Sequence, residues 1–124
     1  MPDGIDAILE AIRIIMNNSA ELQICIERVH ARPGNGSASS WKFAEHYGNL
    51  IGIIKTLGIE YINPLPRHWM KTLGFTKSKE ESATQYKNRL KTRAKELYPS
   101  EKVTLKTSDA LMILTYQLKL YNKE

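Results

Sequence analysis

The sequence has little cysteine and no long apolar run. Cys25 is the only cysteine among 124 residues, so no disulfide can form within the chain, and a reducing compartment is expected. No apolar stretch approaches the roughly 20 residues of a membrane span. The first residues lack the charged start and apolar run of a signal peptide. These absences predict a cytoplasmic protein without a membrane segment.

Several familiar site motifs are missing as well. The glycines of residues 31–37 are not followed by the Gly-Lys-Ser/Thr ending of a nucleotide-binding phosphate loop. His30, His46 and His68 show no metal-ligand spacing with the cysteine or with one another, which argues against a zinc site. No internal repeat or low-complexity segment divides the chain. Its length therefore predicts a single domain spanning residues 1–124.

The positive charge is unevenly distributed. The chain has a net charge of +5 and a pI of about 9.4. Residues 67–106 contain eleven basic and four acidic side chains, whereas the rest of the chain contains seven basic and nine acidic ones. A basic half of this kind indicates a polyanionic partner, with nucleic acid as the leading candidate. The alternative is a set of helices whose charged faces are only solvated.

The apolar run of residues 22–29 predicts a buried strand, and polar segments bound it on both sides. A continuous apolar run suits a strand covered on both faces, as in a parallel sheet between helices. Glu27 would lie at the carboxyl end of that strand, where open α/β sheets bind their ligands. Alternatively, Glu27 is a solvent-exposed charge at the end of a strand.

Helical periodicity predicts most of the remaining chain. We expect an amphipathic helix over residues 5–16, capped by Asp3, a second helix over 40–57, and a short strand at 59–62. The apolar stripe of the first helix is Ile5, Ile8, Leu9, Ile12, Ile15 and Met16. That of the second is Phe43, Tyr47, Leu50, Ile51 and Ile54. A short helical piece follows, with Trp69 as a core anchor or, alternatively, a base-stacking residue. A basic helix is predicted from Lys77 to residue 97, with its cations pointing outward: Lys87, Arg89, Lys91, Arg93 and Lys95. Its predicted inward face is Ala83, Tyr86, Leu90, Ala94 and Leu97.

The last predicted helix is capped at Thr107-Ser108, and it buries Ala110, Leu111, Ile113, Leu114 and Leu118. Asp109 would then lie in its first turn, where the helix dipole favours an acid without any catalytic role.

Small residues form a line on the helix of residues 40–57, at Ala44, Gly48 and Gly52. Glycine inside a helix costs about 1 kcal/mol relative to alanine, so the line indicates close approach by another element. That element is either the chain's own sheet or the same helix of a second subunit.

Four stretches, in this order, carry a resemblance to a known protein family. The first is Ile24-Cys25-Ile26-Glu27-Arg28-Val29 with the loop of residues 33–40. The second is Tyr47-Gly48-Asn49-Leu50-Ile51-Gly52. The third is Pro66-Arg67-His68-Trp69 with the Lys77-Ser78-Lys79-Glu80 that follows. The fourth is Ser108-Asp109-Ala110-Leu111-Met112-Ile113. Together these stretches resemble the RuvC-type Holliday junction resolvases, particularly the shorter nucleases of phages and prophages.

The resemblance implies an α/β, ribonuclease-H-like three-layer fold and a metal-dependent endonuclease that cuts four-way DNA junctions as a homodimer. Glu27 and Asp109 match two of the family's catalytic, metal-binding acids, and Mg²⁺ or Mn²⁺ is the implied cofactor, since hard cations prefer carboxylate oxygens. The implied DNA-binding side chains are Arg28, Arg32, Lys42, Arg67, Lys71, Lys77, Lys79, Lys87 and Lys91.

The departures from the family are equally specific. The family begins with a strand that carries an Asp, whereas this chain begins at the following helix, and Lys106 stands where a further carboxylate is expected. Two strands make a marginal sheet with an exposed edge, so we expect either missing N-terminal strands or pairing with a partner chain. Two alternatives stay open: a DNA-binding remnant that has lost its nuclease chemistry, and a protein-interaction module.

Overall fold

The computed structural model describes residues 5–18, 21–28 and 36–122. The elements are α1 (Ile5–Asn18), β1 (Ile24–Cys25), α2 (Ser37–Thr56), β2 (Tyr61–Ile62), α3 (Pro66–Leu73), α4 (Ala83–Leu97) and α5 (Leu105–Tyr121). Helices dominate, and a small parallel sheet gives the chain mixed α/β content. The more specific ribonuclease-H-like, three-layer arrangement stays a prediction.

The contacts divide the chain into two compact units. The N-terminal unit is Met1–Asn63 and the C-terminal unit is Pro64–Glu124. Each is described separately below. That the two units form a single domain stays a prediction.

In the N-terminal unit, α1 packs against α2. Ile8 and Ile12 of α1 are buried, and Ile54 of α2 is completely buried, which confirms the predicted apolar faces at those positions. The predicted apolar stripe of α1 is wrong at its C-terminal end, because Ile15 and Met16 are exposed. The packing against α2 thus covers the turns of α1 that carry Ile8 and Ile12. The predicted cap, Asp3, lies outside the described residues.

The two strands pair in parallel, with Ile24 opposite Tyr61 and Cys25 opposite Ile62. One further ladder bond runs from the backbone N–H of Ile26 to the carbonyl of Ile62, at 3.0 Å. The predicted strand was too long and too buried: β1 has two residues, and its side chains are half-buried. An apolar run extends as a strand only where a partner backbone pairs with it, and here that partner is the short segment ending at Ile62. Val29 lies outside the described residues.

Helix α2 begins earlier than predicted, at Ser37, because Gly36 adopts the extended backbone of an N-cap. Gly58 stops the chain from continuing as a helix: its φ is 69°, a left-handed conformation that glycine adopts without a Cβ clash. Phe43 was predicted to be buried with the apolar stripe of α2, but it is 52% exposed. The middle of the stripe is half-buried, and only Ile54, near the end of the helix, is completely buried.

In the C-terminal unit, three helices enclose one apolar core. Its buried members are Trp69, Tyr86, Leu90, Ala94, Val103 and Met112. Trp69 is completely buried, so its prediction as a core anchor is confirmed over base stacking. The predicted inward face of α4 is confirmed at Tyr86, Leu90 and Ala94, whereas Ala83 and Leu97 are exposed at the helix ends.

The segment before α4 is a loop rather than the start of the predicted helix. Gly74, with φ 73°, ends α3, and the N–H of Phe75 donates to the carbonyl of Met70 at 2.8 Å. Helix α4 begins at Ala83, because Ser82 and Gln85 form a reciprocal capping box. Lys77 was predicted as the first turn of the basic helix and instead lies in this loop.

Helix α5 begins at Leu105, since Thr104 caps it through Thr107. The predicted cap at Thr107-Ser108 is therefore wrong, and the inward face shifts to Ser108 and Met112. Three side chains predicted to be buried, Ala110, Leu114 and Leu118, are exposed as a result. None of the helices in the described ranges combines the length and hydropathy of a membrane span.

Candidate metal and nucleic-acid sites

Glu27 follows the parallel strands at the edge where both of them end. Two side chains hold this edge together. Asn63 donates from Nδ2 to the carbonyl of Ile26 at 2.8 Å, and the hydroxyl of Tyr47 donates to Asn63 Oδ1 at 3.0 Å. Glu27 itself is half-buried and has an interaction partner. The backbone that carries the candidate acid is thus tied to both β2 and α2.

Sequence reasoning missed the role of Asn63 and assigned Tyr47 only to the apolar stripe. A signal for Asn63 was present: it comes directly after the second strand, as Glu27 comes after the first. In a parallel sheet those carboxyl ends lie at the same edge. Tyr47 carried no comparable signal, because a half-buried tyrosine on an apolar face can place its hydroxyl on many acceptors.

The two candidate acids lie in different units of the chain. Glu27 belongs to the N-terminal unit and Asp109 to the C-terminal unit, and Asp109 is exposed. In the described ranges, no three His, Cys, Asp or Glu side chains come together as a possible metal site. A pair of Mg²⁺ ions needs several carboxylate oxygens to share. Two acids would supply fewer oxygens than such a pair of ions needs, and the metal site stays a prediction.

The helix-dipole explanation of Asp109 is wrong. With α5 starting at Leu105, Asp109 lies in the second turn, and the dipole effect falls off within the first. Asp109 does have an interaction partner in the structure.

The C-terminal unit carries the positive charge. It contains thirteen basic and six acidic side chains, whereas the N-terminal unit contains five basic and seven acidic ones. Most of the predicted DNA-binding cations of this unit are exposed, and Lys91 is half-buried: Arg67, Lys71, Lys77, Lys79, Lys87 and Lys91. In the N-terminal unit, Arg28 and Lys42 are exposed, and Arg32 lies outside the described residues.

The cations of α4 lie on two different flanks of the helix. At 100° per residue, Lys87, Lys91 and Lys95 share one flank, and Arg89 and Arg93 share the other. Arg93 donates to Glu96 at 3.0 Å. The prediction that all five point outward is wrong for Arg89, whose guanidinium bonds Glu81 and the carbonyl of Thr76 in the segment before the helix. The lysine flank is therefore the part of α4 best suited to a polyanion.

Arg89 instead organises the loop of residues 74–82, here called the basic loop. Its Nε and Nη2 donate to the two carboxylate oxygens of Glu81 at 2.9 and 3.0 Å, and Nη2 also donates to the carbonyl of Thr76 at 3.0 Å. The guanidinium lies 5.0 Å from the ring centre of Phe75 and 5.4 Å from that of Tyr86.

The electrostatics of this pair follow from its geometry. The hydrogen bonds from Arg89 hold the pKa of Glu81 below its ordinary value, with a smaller contribution from the charge of Lys77. The same pair raises the pKa of Arg89. Both groups are therefore charged at neutral pH.

Cys25 is not suited to nucleophilic chemistry. Burial disfavours its thiolate and raises the pKa of the thiol to about 11.

A shallow cleft along α2 is lined by Lys42, Glu45, His46 and Asn49, so basic and acidic side chains are mixed in it.

Comparisons with known proteins do not identify a family for this chain. No family model matches the chain, and no curated protein matches it significantly. The likeness to RuvC-type resolvases is therefore carried by the four quoted stretches and stays a prediction.

Proposed function

We propose that this chain is a DNA-binding domain of a RuvC-type, metal-dependent endonuclease that acts on branched DNA such as four-way junctions. The observation that carries the proposal is the concentration of exposed cations in the C-terminal unit, whose net charge is +7. Between Ala83 and Lys95, α4 carries five basic side chains and no acidic one.

The arrangement suits the DNA backbone better than base edges. Lysines on the flank of α4 and in the basic loop are point charges with three freely rotating donors each, which suits phosphate oxygens at varied positions. The two arginines of α4 are the side chains best able to read guanine, and both are engaged with glutamates. Binding through phosphates permits recognition of DNA shape without sequence readout.

The catalytic part of the proposal rests on Glu27 and Asp109, which would be the Mg²⁺ or Mn²⁺ ligands. Two acids are too few to hold two metal ions. Cleavage by this chain is therefore expected to be weak or absent, whereas DNA binding needs no metal site.

The proposal includes a homodimer formed through α2, since a four-way junction offers two symmetric strands. Gly48 and Gly52 are exposed, and a Cβ built at either meets no described atom within 4 Å. Trp41, which is 74% exposed, lies one turn before Ala44 on the same helix face. This pattern favours a partner helix over the chain's own sheet as the element that approaches the glycines, and a two-fold axis would pair the face with itself.

The test uses a synthetic four-way DNA junction and a linear duplex of the same length. We expect binding without divalent metal, tighter for the junction, and little or no cleavage after Mg²⁺ or Mn²⁺ is added. Absence of binding at physiological salt would overturn the proposal. Metal-dependent cleavage that Glu27→Gln abolishes would show that the two acids suffice to hold the catalytic metal, and would contradict the expected weak cleavage.

A further inference from the structure

The basic loop is held in one conformation by side chains from α4. Tyr86 donates from its hydroxyl to the carbonyl of Phe75 at 2.7 Å, at the start of the loop. Arg89 bonds the carbonyl of Thr76 next to it and the carboxylate of Glu81 near the end. A single arginine thus joins the two ends of the segment that contains Lys77 and Lys79.

Bonds within the loop reinforce this closure. The Glu81 carboxylate accepts from the N–H of Ser78, and the N–H of Glu81 donates to the carbonyl of Ser78, at 3.4 and 3.3 Å. The side chain of Glu81 is 14% exposed and that of Arg89 is 39% exposed, so the carboxylate is the better shielded partner of the pair. By contrast, Lys77 and Lys79 are exposed, and Lys77 makes a long contact of 3.4 Å with the carbonyl of Ser78.

We propose that Arg89 and Glu81 are positioning residues, which hold the basic loop so that Lys77 and Lys79 contact phosphates of a nucleic-acid backbone. The inference rests on the proposed DNA-binding function and goes beyond it. It assigns a supporting role to one cation that charge alone would put in direct contact with DNA. It also means that an acidic residue, Glu81, increases the affinity for a polyanion.

The physical reason is preorganisation. A loop that is already ordered loses less conformational entropy when its lysines bind, so more of the interaction energy appears as affinity. Without the pair, Lys77 and Lys79 keep their charge and lose their fixed position. A bidentate arginine–carboxylate contact is well suited to this role, because its geometry is fixed as well as its charge.

Two neighbouring acids allow a matched test. Glu81→Ala and Glu80→Ala each raise the net charge by one at adjacent positions, and Glu80 is exposed, outside the bonds that close the loop. Charge alone predicts that both variants bind a four-way junction slightly more tightly. We expect Glu80→Ala to do so, and Glu81→Ala to bind roughly 5- to 10-fold more weakly than the wild type, since two lysines lose their fixed positions.

Arg89→Lys provides the complementary variant, since it keeps the charge and loses the forked contact. We expect it to bind as weakly as Glu81→Ala, with the wild-type circular dichroism spectrum. Lys77→Ala/Lys79→Ala changes only exposed side chains, and should lower the magnitude of the salt slope of log K by about 1.8 if both contact duplex phosphates.

The outcomes separate the two levels of the argument. Equal binding by Glu81→Ala and Glu80→Ala, with the wild type binding normally, would overturn the positioning role and leave DNA binding standing. An unchanged salt slope in the double lysine variant would also overturn it. Failure of the wild type to bind the junction would overturn the proposed function and this inference with it.

Discussion

Replacing Leu90 with alanine tests whether the core of the C-terminal unit is packed as described. The Leu90 side chain is 1% exposed and lies among Trp69, Tyr86 and Met112. The substitution removes three buried carbon atoms, worth about 0.8 kcal/mol each in transfer free energy. The cavity left behind adds to this, so the free energy of unfolding should fall by roughly 3 to 4 kcal/mol.

The assay is urea denaturation followed by tryptophan fluorescence. Trp69 belongs to the same core, whereas Trp41 is exposed, so Trp41→Phe in every variant makes Trp69 the reporter. Leu118→Ala is the control, because Leu118 of α5 is 46% exposed and should cost at most about 1 kcal/mol. A Leu90→Ala variant no less stable than the control would refute the packing described for α4.

Two further predictions concern α2 and Cys25. Gly48→Leu should keep the fold, because the space beside Gly48 is open, and should shift the protein toward monomer in sedimentation. Wild-type protein that is monomeric at tens of micromolar would contradict the dimer. Alkylation of Cys25 at pH 8 should be roughly 100-fold slower in folded than in unfolded protein, because a thiol with a pKa of about 11 has little thiolate at that pH. The rate should keep rising as pH increases toward 11, and a plateau near pH 9 would contradict the burial of this thiol.

Local sequence patterns predicted which helices and strands form better than they predicted where each one begins and ends. The inward positions of α4 follow from apolar spacing, which is a property of the helix itself. The true start of α4 was also readable, since Ser82 and Gln85 have the spacing of a capping box. The length of β1 could not be predicted from the sequence, because hydrogen bonds from the partner strand decide where a strand ends.

The candidate sites divide in the same way. The concentration of cations in the C-terminal unit was visible in the sequence, because charge is a property of composition. The pairing of Arg89 with Glu81 was not: the residues are eight apart, with a helix start between them, and no local pattern joins such positions. Glu27 was predicted at a strand end, but the hydrogen bonds of Asn63 and Tyr47 near it depend on tertiary contacts.

The most direct test of the account is the salt dependence of binding to a synthetic four-way junction. The variant Lys87→Ala/Lys91→Ala removes two cations from the lysine flank of α4, and Lys55→Ala/Lys102→Ala removes two elsewhere. If the flank contacts phosphates, the first variant should lower the magnitude of the slope of log K against log salt by about 1.8, and the second should leave it near the wild-type value. Equal slopes in the two variants would contradict the claim that this surface binds DNA.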